Sequence, residues 1–558
     1  MKKIKLLSMM MLAVMALPFM VSCSDGDDDG GSGGKGNHGG DTNVTVIVNE
    51  NGTTSNGSIF SAIDDKNFYL DYIKYTVKDG HLYVSGFDEA GFKGVANIVA
   101  RVTYKGNTYE VLEIGDDYFN RPFWLCTSLT SVTIPNSVIS MGISAFEGCS
   151  GLTSLTIGNG VTSIVDYAFK GCRGLTSITI PDNVKSIGLG AFIGCSGLTS
   201  ITIPHIVTSI GEYAFYKCSG LTSISIPNNV TSIGNHAFRD CSGLTSIKVE
   251  SGNTVYDSRD NCNAIIETAT NKLLKGCDKT KIPNSVTSIG EAAFSGCSGL
   301  TSISISQNIT SIGGFAFDHC SGLTSIKVEN GNTVYDSRDN CNAIIETATN
   351  TLLKGCDKTK IPNSVTSIGG AAFSGCSGLT SISVPNNVTS IGGYAFQDCS
   401  GLTSISIPNN VTSIGNRAFY GCSGLTSLII EDGKTVLTFS TSEWSDYYPS
   451  SGYPAENLYL GRNISYSDQD SPFRENEKLK TLTIGNSVTY ISGFAFYGCT
   501  GLTSIHCLAE MPPSVYVGYG DPFSNDTYQT ATLYVPTESY SAYKNADYWK
   551  KFDNIVEE

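Results

Sequence analysis

Apolar and polar positions repeat every 23 residues along much of this chain. In the unit that begins at Cys172, Leu175, Ile178 and Ile180 form an L-x-x-I-x-I run. Ile178 and Ile180, two residues apart, fall on one face of a short strand. Pro181 stops that strand and Asp182-Asn183 turns the chain. Val184 and Ile187 make a second inward pair, and Gly188 permits a bend. Ala191-Phe192 then drop an aromatic ring inward before Cys195 opens the next unit. Cysteine marks the period at Cys126, Cys149, Cys172, Cys195, Cys218 and Cys241. A unit this short buries no core alone, so its apolar positions must pack on copies of themselves. The pattern predicts a β-rich solenoid, stacked as a curved right-handed coil with N- and C-terminal β caps. At about 4.8 Å per rung, around fifteen coils would extend about 70 Å. Phe146, Phe169, Phe192, Phe215, Phe238, Phe294, Phe317, Phe373, Phe396, Phe419 and Phe496 form its inward column.

The period is interrupted three times. Cys241 to Cys297 and Cys320 to Cys376 each span 56 residues instead of 23. Residues 241–304 and 320–383 differ only at Ser251/Asn330, Lys272/Thr351 and Glu291/Gly370, the mark of a 79-residue internal duplication. Within the inserts, near 250–281 and 329–360, two strand-like runs flank Ala269-Thr270-Asn271 and its copy. They predict a β-hairpin leaning off the solenoid. If the turn centres between Ala269 and Thr270, Glu267 faces Lys272 and Cys262 faces Cys277, with Cys341 facing Cys356 in the second copy. In an exported protein such facing cysteines can form a disulfide, whereas a shifted register leaves the thiols free or buried. The third break, 430–477, carries Trp444, Tyr447, Tyr448, Tyr453, Tyr459 and Tyr466. Aromatics on an irregular loop serve protein or glycan contacts, or else cover the apolar flank of an imperfect coil.

Units such as Leu198-Thr-Ser-Ile-Thr-Ile-Pro204 and Val207-Thr-Ser-Ile-Gly-Glu-Tyr-Ala-Phe215 resemble the BspA-like leucine-rich-repeat proteins. The resemblance covers roughly residues 108–508. It implies leucine-rich-type coils on a cell-surface protein of a family associated with adhesion, co-aggregation and binding of host matrix proteins. It fixes no ligand and supplies no catalytic residues. The remaining segments read as a signal (1–22), a tether (23–43), an N-terminal β cap (44–107) and a C-terminal cap (509–558).

Charge and the N-terminus refine the picture. A net charge of −15 argues against nucleic acid, which requires a concentrated basic face. Lys2, Lys3 and Lys5 precede an apolar run from Leu6 to Val21, a secretory signal. It ends at Phe19-Met20-Val21-Ser22-Cys23, which resembles a bacterial lipobox and makes Cys23 the lipid-modified first residue. Met20 and Val21 depart from the usual pattern. An acidic, Gly-rich tether follows the cysteine, as in lipoproteins exported to the outer-membrane surface. The membrane contact expected is the lipid anchor only. Asp25, Asp27, Asp29 and Gly30 open like a calcium loop, but the twelfth position is Gly36 rather than Glu, so calcium is rejected.

No catalytic constellation emerges. His38, His81, His205, His236, His319 and His506 have no metal-ligand spacing, and no base is placed beside the repeated Gly-Cys-Ser-Gly. The ladder cysteines read as small buried hydrophobes rather than metal ligands. No enzyme, no metal and no cofactor are expected. The outward strand position is a near-uniform row, Thr133, Thr156, Thr179, Thr202, Ser225, Lys248, Ser304, Lys327, Ser383, Ser406 and Thr483. Such a row suits a multivalent adhesin or interaction scaffold that binds an extracellular protein or glycan. The alternative is a glycan-capture component of an outer-membrane nutrient-uptake system, with loop 430–477 stacking sugar rings.

Overall fold

The computed structural model describes residues 45–115, 120–440, 453–466, 471–516 and 520–558. The signal, the tether, Cys23, Trp444, Tyr447 and Tyr448 lie outside them. The chain divides into two units, residues 1–192 and 193–558.

In the first unit, strands Asn67–Leu70, Ile73–Lys78 and His81–Phe87 pair antiparallel as a meander. Their alternation buries Phe68, Ile73, Tyr75, Leu82 and Val84. Strand Asn107–Ile114 pairs parallel with His81–Phe87 and then accepts Ser140–Met141, also parallel, which joins the sheet to the coils. A second ladder runs in parallel through Val95–Asn97, Ser131–Thr133 and Ser154–Thr156. The rings of Phe123, Phe146, Phe169 and Phe192 stack at 5.2, 5.5 and 5.7 Å between centroids.

The second unit continues the same design on its own residues. In the coil from Cys399, the inward set Leu402, Ile405, Ile407, Val411, Ile414, Ala418 and Phe419 is at most 3 % exposed. Identical positions meet from coil to coil. Ser223 partners Ser246 and Ile224 partners Ile247, a 23-residue offset that leaves no slip. Among the described residues the longest ladder that is parallel throughout joins seven strands, Ser404–Ile407 through Asn554–Glu557. Close coil approach explains the glycine after each Val-Thr-Ser-Ile: a Cβ on Gly415 would lie 2.2 Å from the Gly393 nitrogen. At the C-terminal end Phe523 stacks on Phe496 at 5.5 Å, and Trp549, Phe552 and Tyr543 close over the apolar cross-section. Among the described residues the architecture is thus a β-solenoid of about 18 turns with roughly 23-residue spacing.

The inserts correct two expectations. The hairpin does not lean off the solenoid. Ile265–Glu267 pairs antiparallel with Lys272–Lys275, which itself pairs parallel with Ser288–Ile289 and so forms a rung of the stack. Ile265, Ile266 and Leu273 are fully buried, and that burial draws the hairpin inward. The register begins as expected, with Glu267 opposite Lys272 and Ile266 opposite Leu273. A bulge then sets Ile265 opposite Lys275. That extra residue moves Cys262 out of line with Cys277, and both thiols are free. The Cys277 thiol instead donates to the Asn263 carbonyl at 3.5 Å. Cys341 and Cys356 repeat the arrangement and are also free.

Candidate functional site: the repeat surface

The strand-face row is built by alternation. Between inward Ile178 and Ile180, Thr179 points out, and Thr156 does the same one coil earlier; both are exposed. In the second unit Thr202, Ser225, Lys248, Ser304, Lys327 and Ser383 are exposed as well. Ser225 is registered opposite Lys248, and Ser304 opposite Lys327. A carboxylate column flanks the row. Glu250 accepts from Ser225 at 3.4 Å, Glu329 from Ser304 at 3.1 Å and Glu431 from Ser406 at 2.7 Å. His205 Nδ1 lies 3.2 Å from Glu250. This surface therefore presents hydroxyls, ammonium groups and carboxylates at rung spacing, suited to many weak hydrogen bonds.

Beyond Ser406 the row changes character. The registered partners run Ser406, Ile429, Tyr459, Thr483, His506 and Tyr534. The His506 and Tyr534 rings stack at 4.5 Å. The near-uniform row expected from the sequence holds here at Ser406 and Thr483; Tyr459 and Tyr534 follow spacings other than 23 residues and so escape a fixed-period reading.

Tyr453, expected among the exposed contact aromatics, is buried. Its ring packs on Phe419 at 5.2 Å, on Phe439 at 5.7 Å and on Phe473 at 5.9 Å. It fills the inward column where the irregular coil brings no repeat Phe, so it covers core rather than offering contact.

A second column lies at the turn before each Ala-Phe pair. Tyr167, Tyr213, His236, Phe315, Tyr394, Arg417 and Phe494 all take φ between 53° and 59°. Left-handed backbone costs an L-residue roughly 1–2 kcal/mol, and the equivalent Gly190 avoids that cost. Bulky side chains are nevertheless held there; Tyr213 stacks on His236 at 5.1 Å, and the Arg239 guanidinium lies over Phe315 at 5.5 Å. The sequence signal was a variable position that favours aromatic and basic residues. Nearby, His319 donates to Asp318 at 2.9 Å and to Asp398 at 3.0 Å. The Asp318 hydrogen bond leads in pushing His319 up to about 9, against its burial. Burial works against the charge on Asp318, but hydrogen bonds from His319 and Ser374 outweigh it and hold that carboxyl low.

Among the described residues no group of His, Cys, Asp and Glu side chains is disposed to hold a metal ion, and no helix is long and apolar enough to cross a membrane.

Parallel strands in 23-residue coils with an inward Leu, Ile, Val and Phe set define a leucine-rich-repeat solenoid. The chain belongs to the BspA type leucine rich repeat region family, whose sequence model matches residues 113–245, 162–275, 264–350, 351–442 and 459–543. Solved structures are similar to it. A leucine rich cell surface protein of Faecalibacterium prausnitzii is 28% identical over 66% of this chain and 95% of its own, with a TM-score of 0.46. A leucine-rich repeat protein of Bacteroides ovatus is 25% identical over 88% and 99%, with a TM-score of 0.32. The pneumococcal vaccine antigen PcpA is 17% identical over 88% and 98%, with a TM-score of 0.34. No curated protein matches the chain.

Proposed function

We propose that this chain is an adhesin or interaction scaffold displayed on a bacterial cell surface. It binds extracellular proteins or glycans of a host or neighbouring cell through its repeat surface. The observation that carries this reading is the exposed row of the second unit from Thr202 through Lys248 to Lys327, flanked by Glu250 and Glu329. Successive coils present near-equivalent groups, so a repetitive partner gains many weak contacts at once. Membership of the BspA type family supports the same reading. Attachment is through lipid-modified Cys23 at the outer membrane, with segment 23–43 as the tether. Screening the purified chain against matrix proteins and polysaccharides, alongside variants lacking one, two or three coils, tests the proposal. Apparent affinity is expected to fall stepwise with coil number; binding indifferent to coil number would sink it.

A second reading, glycan capture within an outer-membrane nutrient-uptake system, is favoured by the Tyr459–His506–Tyr534 stretch of the same row, where sugar rings can stack. Loss of polysaccharide binding with Tyr534→Ala alone, while coil deletion is tolerated, selects it.

A further inference from the structure

Ser504 belongs to the Leu-Thr-Ser run that the regular coils share. Two residues on, the other Leu-Thr-Ser units place Thr, Ser, Lys or Ile, whereas this coil places His506. Strand alternation puts both side chains on the outward face of Ser504–Cys507, and the Ser504 hydroxyl lies 2.9 Å from His506 Nε2. The other ring nitrogen, Nδ1, lies 2.7 Å from Glu558 Oε1. Glu558 follows the strand Asn554–Glu557, two rungs away and 52 residues further along the chain, too far for a local motif to reveal. Its N–H donates to the Val535 carbonyl at 2.9 Å, and its carbonyl accepts from the Thr537 hydroxyl at 3.4 Å.

A carboxylate only accepts, so His506 carries its hydrogen on Nδ1, and Nε2 of the neutral ring accepts from the Ser504 hydroxyl. Nucleophile, base and orienting carboxylate thus stand in the order of a hydrolytic triad. The Tyr534 ring stacks on the imidazole at 4.5 Å and fixes its plane. Thr481 and Thr532 flank Ser504 in register on the neighbouring strands. Asn554 Nδ2 donates to the Thr532 hydroxyl at 2.7 Å, which leaves that hydroxyl its own hydrogen to donate. Rungs about 4.8 Å apart bring it within reach of an oxyanion formed on Ser504. On this open strand face Val556, exposed and in register beside Tyr534, offers an acyl group a small apolar contact, which suits a short chain.

We propose that Ser504, His506 and Glu558 hydrolyse short-chain acyl esters of alcohols. Ser504 Oγ bonds to the ester carbonyl carbon while its proton passes to His506 Nε2. The carbonyl oxygen takes up the negative charge and accepts from the Thr532 hydroxyl. The carbon–oxygen bond to the alcohol then breaks, and the leaving oxygen takes the proton from Nε2. Water repeats the sequence on the acyl-serine. Nε2 removes a proton from the water, whose oxygen bonds to the acyl carbon. Ser504 then leaves with that proton and releases the carboxylic acid. Glu558 is a positioning residue that holds the imidazole tautomer. The activity is independent of any adhesin role.

Hydrolysis of p-nitrophenyl acetate by the full chain, with a fluorophosphonate probe to mark the nucleophile, tests this. Hydrolysis above buffer is expected, and Ser504→Ala and His506→Gln each lower kcat/KM about tenfold or more. Glu558→Gln lowers kcat with KM unchanged, and Glu558→Asp restores part of it. Ser427→Ala, at the matching position three strands earlier in the ladder, leaves the rate unchanged. Peptide mapping should find the phosphonate on Ser504 in the wild type and none there in His506→Gln. These side chains lie on the outer strand face, so the substitutions leave the core intact. No hydrolysis above buffer, a rate undiminished in Ser504→Ala, or a wild-type chain without phosphonate on Ser504 overturns the proposal.

Discussion

Cys422 donates its thiol hydrogen to the main-chain oxygen of Phe396, 3.1 Å away and 26 residues earlier in the chain. Cys172 with Phe146, Cys241 with Phe215 and Cys320 with Phe294 repeat the bond at 3.1–3.2 Å. The ladder cysteine therefore does two things. It fills core volume, and it gives a buried carbonyl a second hydrogen bond beside the one from the main chain, as at Phe396, which also accepts the Cys399 N–H at 3.2 Å.

Burial raises the ladder thiols, to about 12 at Cys422 and at Cys241, from an ordinary 9.0. A folded-state value above the unfolded one stabilises fully below the unfolded value and is lost as pH rises through the folded one. Stability should therefore decline from about pH 9 toward about pH 12, with a shallower decline in Cys422→Ala. Chemical melts across that range measure the slope. In the native state below pH 9, thiol reagents should leave Cys262, Cys277 and the ladder cysteines unmodified, and peptide mapping should find no disulfide among them.

Phe396 stacks between Phe373 and Phe419 at 5.1 and 5.3 Å. Phe396→Ala removes both contacts and leaves a cavity, costing about 3–5 kcal/mol. Deleting residues 399–421, one whole coil in register, preserves native interfaces on both sides and should cost less. Denaturant melts that rank the deletion as the more damaging would contradict interchangeable coils.

His319 bridges Asp318 and Asp398, and its value of about 9 lies above the ordinary 6.5. The stability it contributes is complete below about pH 6.5 and is lost as pH rises through about 9. Its side chain is partly exposed, so the effect is small. Histidine NMR titration should place His319 above the ordinary 6.5, and Asp398→Asn should lower it. An His319 signal that titrates at the ordinary value would refute the bridge.

If Cys23 carries the anchor, fatty-acid labelling of cells should mark the wild-type chain and spare Cys23→Ala, and protease added to intact cells should remove the coils. Equal labelling of the two forms ends the lipoprotein reading.

The coils were legible because their information is local and repeated: Leu175, Ile178, Ile180, Val184, Ile187 and Phe192 state which face is inward, and 23 copied positions fix the register. The insert was legible only in part. Glu267 opposite Lys272 follows from the turn, but the bulge at Ile265/Ile266 and the docking of Lys272–Lys275 onto Ser288 depend on neighbours far along the chain. Tyr453 resembled a surface aromatic because composition alone does not reveal an empty place in the Phe column. The turn column of Tyr167, Tyr213 and Phe315 escaped notice since a positive φ at an aromatic runs against local preference.

The two insert coils have a mechanical consequence. Gly276 and Gly355 stand there where other coils bring a Phe, donating to the Ala293 and Ala372 carbonyls at 2.9 Å. They cut the aromatic column of the second unit into Phe215–Phe238, Phe294–Phe317 and the run from Phe373 through Phe419. Nearest-neighbour coupling is weakest where the stack is cut. A chain anchored at one end and pulled by a captured partner would yield there first, extending in blocks. Contour length released block by block absorbs a tug while the coils that grip the partner stay folded.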